Sequence, residues 1–152
     1  MRARIQGCFD RHTSRTSIQQ LRKLDKFIKR RRHIAARYTD AFSDIAGIVM
    51  PGDLPRRPHT YHLYPLRIIS AEVSVSRDDF MNRLYESGIG TSLHYVPLHQ
   101  HPFYCKKYGH SGRDFPVADR VLNELVSLPL YPAMSDADVD RVIGAVRDAL
   151  PT

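Results

Sequence analysis

Apolar residues recur at spacings of three and four from Ser17 to Ile45, at Leu21, Leu24, Ile28, Ala35, Tyr38, Phe42 and Ile45, with only Arg31 breaking the stripe. That spacing predicts one long amphipathic helix, with Ser17 as its N-cap and Gly47 placed to stop it. A helix of about 29 residues is about 43 Å long at 1.5 Å per residue, more than a compact domain of this size needs. Part of its apolar face is therefore expected to pack on something outside the domain. Before it, residues 1–16 carry no sustained period and are expected to be loosely ordered, leaving a domain over 17–150.

After the helix, Pro51, Gly52, Pro55 and Pro58 predict a stiff connector. His59 to Ile69 alternates and then turns wholly apolar, the pattern of a buried strand with Pro65 at an edge or bulge. Tyr61 should then point away from His62, and Tyr64 should share the face of His62. Arg77 to Ser87 reads as a helix capped by Ser76, with Phe80, Leu84 and Tyr85 inward. Thr91 to Val96 reads as a second strand, ended by Pro97. A helical turn over Phe103 to Tyr108 is followed by a surface loop over 110–114. Phe115 to Val126 is helical, with Val117, Val121, Leu122 and Leu125 on one side. Ser127 to Tyr131 is a third strand, and Ser135 to Leu150 is a helix capped by Ser135 with Asp136 and Asp138 in its first turn.

The chain's 152 residues suit one domain, and 42% hydrophobic with 26% charged content is ordinary for a globular protein. No window of eighteen apolar residues and no charged segment leading into an apolar one are found, so a cytoplasmic protein without a membrane span is the expectation. Cys8 and Cys105 are widely separated and are read as free thiols. The net charge of +7 is concentrated on the long helix, where Lys23, Lys26, Lys29, Arg30, Arg31, Arg32 and Arg37 fall together. A module binding nucleic acid or another polyanion through this helix is the competing class. Yet the run lacks interleaved aromatics and any phosphate-cradling loop, which makes a solvated face the expectation.

Candidate chemistry gathers in Gly90 to Tyr104, which holds His94, His99 and His101, two tyrosines and two prolines. Their spacing matches no common zinc pattern, and no carboxylate stands near them before Asp114, so no metal is expected. His94 fits either a core histidine or a cleft-facing one, and His99 follows Pro97 into a loop at the strand's edge, a common place for binding groups.

The run Gly90-Thr-Ser-Leu-His94-Tyr95-Val-Pro-Leu-His99 resembles a motif of the DegT/DnrJ/EryC1/StrS family of pyridoxal-phosphate (PLP)-dependent sugar aminotransferases. Two further stretches match in order. One is His59-Thr-Tyr-His-Leu-Tyr-Pro65; the other is Leu128-Pro-Leu-Tyr-Pro132 followed by Ser135 to Val139. The resemblance covers about Ser17 to Leu150 and points to the C-terminal small domain of these fold-type I enzymes. It implies an α+β fold, with about three strands in a small, mostly antiparallel sheet covered by helices. It also implies that His94, Tyr95, His99 and Tyr61 are candidates for the substrate cleft, where an amino group passes from an amino acid to a keto-sugar nucleotide.

The same resemblance marks what is missing. The asparagine-bearing box that precedes the long helix in the family reads Arg11-His-Thr-Ser-Arg15 here. None of Lys23, Lys26, Lys29, Lys106 and Lys107 stands in the family's Schiff-base context, so no catalytic residue is assigned. The chain alone is expected to hold no PLP and to be inactive, either half of a split enzyme or the remnant of a truncated gene. Its expected partners are a large-domain polypeptide or a second copy meeting the long helix.

Overall fold

The computed structural model describes residues 11–52 and 56–151, and the expectations for Cys8 and for residues 1–10 lie outside them. Helix α1 spans Arg11–Phe42, so it begins six residues before the expected cap at Ser17, and the Arg11 to Arg15 segment is its opening turn. Its C-terminal half carries the core face: Ile34, Ala35, Tyr38 and Phe42 are fully buried. Its earlier stripe is open, with Ile18, Leu21 and Leu24 exposed. No helix among the described residues is long and apolar enough to cross a membrane.

The helix stops at Phe42, short of Gly47. Gly47 serves a different turn. Its φ is +78°, and a Cβ there would lie 2.6 Å from Val73 Cγ1 and 2.8 Å from Glu72 Cβ, so only glycine fits. The Gly47 carbonyl accepts the Ile69 N–H at 2.8 Å, which aligns β1 (Ile48–Val49) beside β2 (Tyr64–Ile68).

The sheet runs β1-β2-β3 with both pairs antiparallel, and β3 is Leu125–Leu128. Tyr64, Leu66 and Ile68 with Val126 and Leu128 form the core face. Pro65 sits in the central strand without loss of a ladder bond. Its partner Ser127 gives both backbone groups to Ser92 on the other side, at 2.9 and 3.2 Å, while β1 reaches only Arg67 and Ile68. Pro65 therefore faces no acceptor that requires its missing N–H.

Thr91 to Val96 was expected to be a strand, but only Ser92 pairs, in an isolated bridge to Ser127. The third strand is instead β1, whose two residues are too short to show any alternation. Tyr61 also departs from the alternating pattern. It lies before the strand with φ +48°, so Tyr61 and Tyr64 are both buried while His62 is exposed.

Short helix α2 (Ser70–Val73) leads to α3 (Arg77–Glu86), capped by Ser76, whose hydroxyl accepts the Asp79 N–H. Phe80 and Leu84 are buried as expected, but Tyr85 is 78% exposed, because the stripe repeats at i and i+4 and Tyr85 falls beside it. Helix α4 covers Pro102–Tyr108, α5 Pro116–Glu124 and α6 Asp136–Asp148. Ser135 and Asp138 form a reciprocal capping box at the start of α6. Val117 is exposed, since α5 approaches the sheet through its later turns, where Glu124 accepts from Arg67 Nε at 2.8 Å. Helices α1 and α6 are bound together: Arg30 bonds Asp136 at 2.8 Å and the Met134 carbonyl at 2.6 Å, and Arg37 pairs with Asp140.

Candidate functional site

Past the Ser92 bridge the chain leaves the sheet, runs through residues 93–97 without regular structure, and makes a 3-10 turn over Leu98–Gln100. Pro102 then opens α4, where a missing N–H costs nothing, and Gly109 closes it with φ +69°. The result is an arch standing out from the sheet edge.

His99 anchors the arch. Its side chain is almost wholly buried, its ring stacks on Phe115 at 4.6 Å, and its Nε2 donates to Asp119 Oδ1 at 2.6 Å. Gln100 Nε2 donates to the same oxygen at 2.7 Å. These two donors, His99 first, hold the Asp119 carboxyl below the usual carboxylate range. Asp119 also lies in the first turn of α5, where the helix dipole favours an anion. From the other side, the Cys105 thiol donates to the His99 carbonyl at 2.7 Å, and His101 Nε2 donates to the Val96 carbonyl at 3.2 Å.

His94 and Tyr95 sit at the middle of the arch. Their rings meet edge to face at 4.9 Å, and Tyr95 is 76% exposed. The Nδ1 of His94 is buried and has no hydrogen-bond partner. Below the arch, Leu98, His99, Tyr104, Tyr108, His110 and Phe115 line a cavity of about 290 Å³.

The structure thus gathers His94, Tyr95 and His99 on one feature and puts Tyr61 elsewhere. Tyr61 packs against His59 at 4.4 Å and Tyr64 at 6.3 Å, and it lines a separate groove with Arg32, Thr39 and Met50. Asp119, Gln100 and Phe115 were not singled out from the sequence. Asp119 looks there like one more first-turn carboxylate, and its partner lies twenty positions upstream. No group of three metal-binding side chains forms among the described residues.

A three-stranded antiparallel sheet, covered by helices and fronted by a histidine-bearing arch, defines the small-domain class of transaminase architecture that the motifs implied. The chain belongs to the DegT/DnrJ/EryC1/StrS aminotransferase family, whose family model matches residues 12–147. The spore coat polysaccharide biosynthesis protein SpsC of Bacillus subtilis is 45% identical over 132 residues, which make up 86% of this chain and 34% of SpsC. The solved aminotransferase TlmJ of Streptoalloteichus hindustanus is 41% identical with a TM-score of 0.73, over 86% of this chain and 33% of that one. Spr1654 of Streptococcus pneumoniae, solved in its PLP form, is 25% identical with a TM-score of 0.74, over 88% and 35% of the two chains. The chain therefore spans about a third of the length of the relatives it matches.

Members of this family use PLP, which requires an enclosed lysine and a carboxylate against the pyridine nitrogen. The residues described here do not make such a site. Lys23, Lys26 and Lys29 on α1 and Lys106 and Lys107 on α4 are all exposed. The carboxylate of the arch, Asp119, is already committed to His99 and Gln100.

Proposed function

We propose that this chain provides the small-domain wall of the substrate cleft in a PLP-dependent sugar-nucleotide aminotransferase. A lysine-bearing large domain, which lies outside the residues described, supplies the cofactor site. The reaction assigned to the whole is transfer of an amino group from an amino acid to a keto-sugar nucleotide, in polysaccharide or glycoside biosynthesis. Within it, the residues of this chain bind and orient. The hydroxyl of the exposed Tyr95 is suited to the hydroxyl groups of a sugar, which both donate and accept, and the His94 ring backs it edge to face.

The observation that carries this reading is the arch itself, where the motif's Tyr95 stands 76% exposed with the His94 ring edge to face against it. A large aromatic side chain with a polar tip, held out from the fold on this motif, fits a polar partner that arrives from outside. The polyanion-binding alternative finds less support, since Arg30 and Arg37 are spent on α6 and Arg32 on the His59 carbonyl.

Reconstitution tests the proposal. The purified chain, given PLP, glutamate and a keto-sugar nucleotide, should not turn over. Adding a large-domain polypeptide from a family relative should form a complex and restore amino transfer. Turnover by the chain alone would overturn the division of labour, as would a large domain that never binds it.

A further inference from the structure

The arch has two feet. At the first, Ser92 and Ser127 exchange a pair of backbone hydrogen bonds at 2.9 and 3.2 Å. At the second, a single carboxylate oxygen of Asp119 accepts from both His99 and Gln100. Between the feet no side chain is fully buried: Leu93, His94 and Pro97 are half-buried, and Tyr95 is 76%, Val96 42% and Leu98 65% exposed, so packing alone does not set the path. The direction in which the crown faces therefore depends on the feet.

We propose that Asp119 is a positioning residue: by clamping His99 and Gln100 it fixes the arch, and so sets where His94 and Tyr95 point. Its own place is fixed in turn. Asp119 belongs to the first turn of α5, and the end of that helix is tied to the sheet by the Glu124–Arg67 pair. The clamp thus connects the sheet to the crown of the arch through two side-chain contacts. Removing the carboxylate would leave the buried His99 Nε2 without an acceptor, a cost that the arch can relieve by lifting. The Cys105 thiol would still hold the backbone at His99. Loosening is therefore expected in the arch and not in the sheet.

The inference rests on the reading that His94 and Tyr95 face substrate, but its test does not. The purified chain is compared with D119A, D119N and Q100A by nuclear magnetic resonance. The His94 and Tyr95 rings meet edge to face at 4.9 Å, so their protons carry mutual ring-current shifts. The Gln100 and His101 amides, bonded to the Pro97 and Leu98 carbonyls, report the second foot. In D119A the His94 and Tyr95 ring signals should collapse toward unstructured values, and the two amides should exchange about tenfold faster. The ring signals of Tyr38, Phe42 and Tyr64 should stay in place. D119N keeps an acceptor oxygen and should recover most of the arch signature, a rescue that loss of general stability does not explain.

Unchanged arch signals in D119A, or core signals that move equally, would overturn the proposal. If D119A does not fold, Q100A decides. It removes one exposed donor, and a disturbance confined to residues 94–101 supports the clamp whereas none overturns it. The reading of the cleft fails separately, when a reconstituted enzyme carrying D119A keeps wild-type kinetics although its arch signals have collapsed.

Discussion

Replacing Tyr38 by phenylalanine isolates one contact that joins α1 to the rest of the domain. Tyr38 is fully buried, its ring lies 5.8 Å from Phe42 and 5.1 Å from Tyr64, and its hydroxyl donates to the Pro129 carbonyl at 3.0 Å. Phenylalanine keeps both ring contacts and removes only the donor. A neutral hydrogen bond is worth ~0.5–1.5 kcal/mol net, and the stranded half-buried carbonyl moves the expected loss to about 1–2 kcal/mol. For a domain of this size each kcal/mol lowers Tm by about 2–4 °C, so a fall of about 2–8 °C is expected. Urea unfolding followed by circular dichroism should show a lower midpoint and an unchanged m-value, because the surface exposed on unfolding is the same. Tyr64→Phe is the control. Its hydroxyl shares a 2.9 Å bond with the half-buried Thr39, which can rotate to another partner, so its loss should be smaller. A Tyr38→Phe protein as stable as the parent would refute the claim that this hydroxyl ties the helix to the 128–132 stretch.

Gly47→Ala should cost about 1–3 kcal/mol in chemical denaturation, because φ is +78° and the new methyl group meets Val73 and Glu72 near their backbone. Above neutrality, burial pushes the Tyr64 phenol up to about 12. The unfolded chain ionises near pH 10, so this stabilisation is complete below about 10 and is lost as pH rises toward 12, with tyrosinate absorbance appearing as the chain unfolds. In acid the sign reverses: the Arg30 hydrogen bond holds Asp136 below its ordinary value of 3.8, so its contribution is present above that pH and fades below it. A pH series of melting curves checks both limbs. Finally, the open stripe should make the chain self-associate, and Leu21→Glu should reduce the mass seen by light scattering; a monomer at high concentration would contradict this.

What the sequence made legible were features whose cause is local. Ser76 and Ser135 announce their helices because a cap needs only a hydroxyl and an amide three residues on. The stripe at Ala35, Tyr38 and Phe42 marks the buried face of α1 for a similar reason. Features that depend on distant partners were misread or missed. Thr91 to Val96 has strand composition, yet beyond Ser92 nothing lies alongside it to pair with. Ile48 and Val49 form the edge strand because Gly47 brings them against Ile69, a contact without a periodic signature. At the candidate site, the histidines and Tyr95 stood out by composition. Asp119 did not, since a carboxylate becomes a clamp only once folding lays α5 against the 98–100 turn.

The basic run shows most clearly how placement governs meaning. Counted along the chain it reads as a solvated face, but Arg30 and Arg37 reach α6 and Arg32 reaches the His59 carbonyl, so three of its seven cations tie α1 to the rest of the domain. These bonds divide α1. Its later half is fixed by α6, Tyr38 and the sheet, whereas its earlier turns carry Ile18, Leu21 and Leu24 in the open. Isolated helix of that length is marginal in water, because each turn must offset its ordering entropy without tertiary burial. An apolar stripe on such turns is stabilised by whatever covers it.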